Sequence, residues 1–237
     1  MLSTTGVLWA VVPVKPFYRG KSRLAGVLST EDRVALNRCF LESIVQALTA
    51  VPAIEHVLVV SRDPQVLALA RSRGARTLLE HGSQDLNLAL GMAAAVVKKF
   101  TGNAILVIPA DLPLVGAEDI RILVDNSPAA PFVRIAPDRH RRGTNALLFS
   151  PIGSFPFSYG PDSFQRHCDL ALRVGMKVEV VDMPALALDI DLPEDLALLR
   201  SEVNALGINA SAPYELNPCF LGKNFELQRC KGREVFY

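Results

Sequence analysis

The chain has 237 residues, half of them hydrophobic and 21% charged, which suits one α/β domain or two small ones and excludes a mostly disordered chain. Its 25 Lys and Arg against 24 Asp and Glu leave a formal net charge of +1, so no global field recruits nucleic acid or an acidic membrane surface. Residues 1–6 lack the basic stretch of a signal peptide, and the apolar run 7–14 is broken by Pro13 and too short to span a bilayer, so a cytoplasmic protein is expected.

Short apolar runs alternate with longer segments of helical period, the pattern of βα units stacked on a parallel sheet. The first run, 7–12, reads as a strand buried on both faces. After a basic loop, Ser29, Thr30, Glu31 and Asp32 open a helix with a cap and early acids, and Val34, Phe40, Leu41, Ile44, Val45 and Leu48 form its apolar stripe. A second strand at 56–60 leads to Asp63-Pro64, a cap followed by a first-turn proline, and Gly74 stops that helix. The unit repeats with a strand at 77–79 and a helix at 87–99, then a strand at 104–108 and a helix at 117–124. Beyond Ser127 come strands near 132–135 and 146–149, a helix near 161–174, a strand at 178–181 and a last helix from Pro193. The expected fold is a single Rossmann-like α/β domain over residues 1–205, its mostly parallel sheet flanked by helices, with a tail at 206–237 to which no chemistry is assigned. Cys39, Cys168, Cys219 and Cys230 show neither CxxC pairing nor a histidine at zinc-ligand spacing and read as reduced thiols.

In an open parallel sheet, ligands bind outside the carboxyl ends of the strands. After the first strand lie Lys15, Arg19, Gly20, Lys21, Ser22 and Arg23, a loop without acids that either wraps a polyphosphate or stands solvated. Gly20-Lys21-Ser22 imitates the end of a P-loop, but position 15 is lysine rather than glycine and the helix starts only near Ser29, which excludes that motif. After the fourth strand comes Asp111, between Pro109 and Pro113, as a ligand or a turn residue. Asp189 and Asp191 follow the last strand and point to one face if the segment is extended, although Asp191 can also cap the helix of Pro193. Three aspartates without histidine or cysteine suit a hard cation such as Mg²⁺, and with the basic loop they describe a nucleoside triphosphate site. Arg139, Arg141 and Arg142 before Gly143-Thr144 form either an anion-binding turn or an exposed basic one. Gly160, Asp162 and Ser163 open a helix that either receives an anion or is merely capped.

These motifs occur in a familiar order: Val12-Pro13-Val14-Lys15 with Lys21-Ser22-Arg23-Leu24, Asp85-Leu86-Asn87, Ala110-Asp111-Leu112-Pro113, Gly143-Thr144-Asn145, Tyr159-Gly160 with Ser163-Phe164, and Asp189-Ile190-Asp191-Leu192-Pro193. Together, from about residue 7 to 200, they resemble the 2-phospho-L-lactate and phosphoenolpyruvate guanylyltransferases of coenzyme F420 biosynthesis. The resemblance implies a nucleotidyltransferase of glycosyltransferase-A-like fold, moving GMP from GTP to the phosphate of a small phospho-acid. It implies Mg²⁺ on Asp111, Asp189 and Asp191, and the phospho-acid on Thr144, Gly160 and Ser163. The nucleotide would lie on Pro13, Val14, Lys15, Lys21, Arg23 and Asn87, with Ser61 and Asp63 as further candidates for the nucleoside end and Lys15, Arg23 and Asp111 nearest the chemistry. Phosphoenolpyruvate is the first acceptor to expect and 2-phospho-L-lactate the second. Other nucleotidyltransferases of this fold, or a non-catalytic GTP-binding module, are the competing readings, and a homodimer is the assembly left open.

Overall fold

Alternate side chains of the first strand already divide the interior in two. Ala10 and Val12 face one apolar cluster, and Trp9 and Val11 face another on the opposite side of the sheet. The structure is a computed structural model and describes residues 7–205 apart from 83, 101 and 126; the tail at 206–237, with Cys219 and Cys230, lies outside the described residues. Its elements run β1 (Val7–Pro13), α1 (Thr30–Thr49), β2 (Ile54–Ser61), α2 (Pro64–Ser72), β3 (Arg76–Leu79), α3 (Leu86–Lys99), β4 (Gly102–Val107) and α4 (Ala117–Val124). Then follow β5 (Phe132–Pro137), β6 (Thr144–Ser150), α5 (Ser163–Arg173), β7 (Lys177–Val180), a short α6 (Pro184–Ala187) and α7 (Pro193–Ala205).

The helices begin where their caps predict. Ser29 Oγ accepts the N–H of Asp32 at 3.0 Å while the Asp32 carboxylate reaches back to Ser29, closing a capping box on α1. Asp63 caps α2 ahead of Pro64, and Asp85 accepts the N–H groups of Asn87 and Leu88 at the start of α3. Helix α5 starts later than the sequence pattern indicates, at Ser163 rather than 161. Gly160 has φ 130° and Asp162 has φ 53°, so residues 160–162 turn instead of winding. Helix α6 is an element the sequence reading did not contain.

The sheet order is β3-β2-β1-β4-β6-β5-β7. β6 runs antiparallel to β4 and β5, while the other pairings are parallel. The chain leaves β1 towards β2 and β3, then crosses back to place β4 on the other side of β1. The strand order therefore reverses between β1 and β4, where a crevice opens at their carboxyl ends. Because β6 is reversed, its first residue, Thr144, lies at this same end.

Helices α1, α2 and α4 cover one face, and α3 and α5 cover the other. A third apolar cluster joins Leu24 from the basic loop to Leu36 and Phe40 of α1 and to Leu188, Ile190, Leu196 and Leu199. Leu24 and Ile190 are wholly buried in it. That cluster fastens the loop after β1 to the segment carrying Asp189 and Asp191. Among the described residues no helix is long and apolar enough to cross a membrane, and Cys39 and Cys168 are free thiols.

Candidate active site

The crevice between β1 and β4 is a cleft of about 690 Å³, lined among others by Pro13, Val14, Lys15, Arg19, Lys21, Asp111 and Asp191. The loop that forms one wall is pinned at several points. Phe17 N–H donates to Asp63 Oδ2 at 3.1 Å, and Asn37 Nδ2 donates to Phe17 O at 2.9 Å. Gly20 packs so closely on Asn37 that a Cβ there would displace the amide that holds Phe17 O. Lys21 is itself left-handed, with φ 57°. Lys21, Arg141 and Asp162 are the non-glycine residues with positive φ among the described residues, and all three sit in loops at this end of the sheet. Such strain, about 1 kcal/mol or more per residue, persists where surrounding contacts enforce it.

Lys21 carries its ammonium into the acids. Nζ donates to Asp111 and, at 2.9 Å, to Asp191 Oδ1, with only 6% of its side chain exposed. Burial opposes its charge, but the fields of Asp111 and Asp191 outweigh burial and raise its pKa. Burial likewise works against the Asp191 carboxylate, yet Lys21, Arg23 and Lys15 hold its pKa below the usual range. Among the described residues, Asp189 has no such cation. It accepts a hydrogen bond from Asn145 Nδ2 at 3.3 Å, and burial together with the negative charge of Asp111 pushes its pKa up. The three aspartates are thus neighbours, held together by the bond from Ile190 N–H to Asp111 O at 3.1 Å. Among the described residues, however, no three acidic, histidine or cysteine side chains gather on one metal-sized point, because Asp111 and Asp191 close on the lysine.

The backbone of the acidic segment is held from inside α7 by Asp195, 3% exposed, whose Oδ2 accepts the N–H groups of Asp191 at 2.8 Å and Leu192 at 2.7 Å. Its other oxygen pairs with Arg139 Nη2 at 2.6 Å. One carboxylate therefore fixes both the acidic segment and the basic turn. The remaining arginines of that turn are also paired, Arg141 with Asp182 at 2.6 Å and Arg142 with Asp162 at 3.0 Å. Their guanidiniums join the turn to α5 and to the segment after β7.

Thr144, Gly160 and Ser163 come together beside the cleft. Ser163 Oγ lies 3.2 Å from Thr144 Oγ1, and Ser163 N–H donates to Gly160 O at 3.1 Å. Thr144 is followed by Asn145, whose amide donates to Leu186 O and to Asp189, which links this group to the acids. Arg23 stands at the rim, 4.0 Å from Asp191 and largely exposed.

Asn87 is engaged by backbone beside the cleft. Its amide nitrogen donates to Tyr159 O at 3.1 Å and its oxygen accepts Tyr159 N–H at 2.7 Å, so it clamps the 159–160 turn. Ser61 is buried and its hydroxyl accepts the N–H of Asp63, whose carboxylate holds Phe17 and Gln65, so this strand end also works as scaffold. The cleft wall there is instead made by Arg62 and Glu80, an ion pair at 2.5 Å, with Gln84, Asp85 and Leu86. Sequence reasoning missed Arg62, Glu80 and Asp195. Arg62 and Glu80 directly follow β2 and β3, where the strand-end rule would have found them.

Comparison with known proteins places the chain among relatives of named activity. The family described as "Guanylyl transferase CofC like" matches residues 8–203. The chain is 43% identical over 194 residues to the phosphoenolpyruvate guanylyltransferase of Rubrobacter xylanophilus, covering 82% of this chain and 94% of that protein. It is 36% identical over 188 residues to the 2-phospho-L-lactate guanylyltransferase of Methanothermobacter thermautotrophicus, covering 79% and 81%. Among solved structures, a nucleotidyl transferase from Methanothermobacter superposes with a TM-score of 0.61 at 15% identity, over 84% of this chain and 98% of that one, and so shares the fold.

Proposed function

The chain belongs to the CofC-like guanylyl transferase family and is a guanylyltransferase of coenzyme F420 biosynthesis, and we propose that it binds GTP and Mg²⁺ and uses phosphoenolpyruvate as acceptor. The observation that carries this reading is the meeting of a lysine- and arginine-bearing loop with Asp111 and Asp191 in a cleft at the β1/β4 reversal, with Asp189 close enough to feel the charge of Asp111. An acceptor phosphate oxygen attacks the α-phosphorus of GTP, the bond from that phosphorus to the β-phosphate bridging oxygen breaks, and pyrophosphate leaves. No base is required, because a phosphate monoester with a second pKa near 6 is already ionised at neutral pH.

The obstacle is one anion approaching another, which costs roughly 4 kcal/mol for two unit charges about 4 Å apart at an effective dielectric constant near 20. Lys15 and Lys21 line the cleft and Arg23 stands at its rim, placed to spread that charge and to orient the triphosphate. Pro13 and Val14 form the floor beneath it. Thr144, Gly160 and Ser163 hold the phospho-acid on the side of Asp189. The oxygen-only donors Asp111, Asp189 and Asp191 fit a hard cation: burial first, and then the negative charge of Asp111, work against the Asp189 carboxylate, a cost that a cation relieves, and Lys21 now supplies a positive charge between Asp111 and Asp191. Bound there, Mg²⁺ supplies charge neutralisation and alignment of the reacting phosphates. The reading places the reaction in the cytoplasm.

The test is pyrophosphate release from GTP with phosphoenolpyruvate, 2-phospho-L-lactate and 3-phosphoglycerate compared side by side. Release is expected only with an acceptor present, fastest with phosphoenolpyruvate, lost with a chelator and restored by Mg²⁺. Equal release without acceptor would overturn the transfer reaction, and preference for another acid would reassign the acceptor.

A further inference from the structure

Behind the hydroxyls of Thr144 and Ser163 lies a histidine that the guanylyl transfer does not call for. His167 is wholly buried in α5, and its Nε2 accepts the backbone N–H of Ser158 at 3.0 Å. An amide N–H can only donate, so this Nε2 carries no proton. Burial, with the Arg166 guanidinium nearby, lowers the ring's pKa to about 4, which leaves a neutral imidazole at physiological pH. The single ring proton is therefore on Nδ1, 3.0 Å from Thr144 Oγ1, and His167 donates to the threonine. The ring of Tyr159, edge-on at 4.9 Å between centroids, and that of Phe155 at 6.2 Å fix the imidazole plane.

The count of protons decides what the hydroxyl pair presents. Thr144 and Ser163 own two hydroxyl protons, and their mutual bond uses one. Because Nδ1 donates, it takes neither, and one proton remains for a group outside the pair. In the opposite tautomer Nδ1 would accept the second proton. The pair would then turn only lone pairs outward and repel an anion.

We propose that His167 is a positioning residue: through the Nδ1–H tautomer imposed by Ser158, it makes the Thr144–Ser163 pair a hydrogen-bond donor to an anionic oxygen of the phospho-acid acceptor. This rests on the reading that Thr144 and Ser163 bind that acceptor. A neutral relay suits the task, since it sets the direction of a hydrogen bond without adding charge to a site already rich in it.

Steady-state pyrophosphate release with GTP, Mg²⁺ and phosphoenolpyruvate separates the two levels. Thr144→Ala is expected to raise the phosphoenolpyruvate KM about tenfold or more, the loss of a hydrogen bond to a charged group, with the GTP KM unchanged. Failure of that rise overturns the acceptor assignment and the inference with it. His167→Phe keeps a ring but removes both nitrogens, and the same split is expected: a higher phosphoenolpyruvate KM at constant GTP KM. If Thr144→Ala shows the effect and a folded His167→Phe does not, the role of His167 falls while the acceptor site stands. Nitrogen NMR of the unaltered protein reads the tautomer directly, whether or not the phenylalanine variant folds. Nδ1–H supports the proposal, and Nε2–H overturns it.

Discussion

Lys21 concentrates the electrostatics of the cleft in one side chain. A buried ammonium loses hydration, and the two carboxylates beside it keep it charged; removing the ammonium would leave the two acids facing one another without a cation between them. On the proposed function, Lys21 and Mg²⁺ are alternatives for the position between Asp111 and Asp191. His167 is the opposite case, a buried ring kept neutral. Its folded pKa of about 4 lies below the ordinary 6.5, so between those values the unfolded chain binds a proton that the folded one does not. Stability from this residue is complete above pH 6.5, declines as pH falls, and levels off below about pH 4. A shift of this size corresponds to about 3 kcal/mol at most. Urea unfolding across pH 4 to 7 should show that slope, and His167→Phe should flatten it. An unchanged slope in the variant would assign the pH dependence to other groups.

The segments that carry the site depend on α7 for their placement. Asp195 sits in its first turn and receives two N–H groups and a guanidinium, so one residue sets where Asp189 and Asp191 stand. Asp195→Ala leaves those donors without an acceptor and is expected to cost about 3 kcal/mol, with Mg²⁺ required at higher concentration for the same turnover. Chemical unfolding and a Mg²⁺ titration of pyrophosphate release measure both effects; normal stability would mean that water replaces the carboxylate. Elements were the part most open to reading from sequence. Ser29, Asp63 and Asp85 announce their helices by local chemistry, and the runs at β1, β2 and β4 are apolar enough to leave no other assignment. Asp195 was hidden for a physical reason. Its role depends on the N–H groups of Asp191 and Leu192 turning back onto it and on Arg139, 56 positions earlier in the chain, arriving beside it. The contacts of Asn87 were hidden in the same way, since only the fold reveals that the Tyr159 backbone occupies both ends of its amide.

At the scale of the whole molecule, the near-neutral charge conceals a cleft built from both signs. Topology explains how distant residues reach it: the order reversal brings the ends of β1 and β4 together, and the antiparallel β6 adds Thr144 from the start of a strand rather than its end. Strand direction is set by long-range pairing, and no local signal in residues 144–150 specifies it. The family match ends at residue 203. A chain stopped after residue 205 is therefore expected to fold and transfer GMP, with KM values for GTP and phosphoenolpyruvate within about twofold of those of the full chain. Circular dichroism and pyrophosphate release from the two chains test this. A tenfold or greater loss of kcat/KM in a folded truncation, by the scale at which one good contact is worth about 1.4 kcal/mol, would place a substrate contact within residues 206–237.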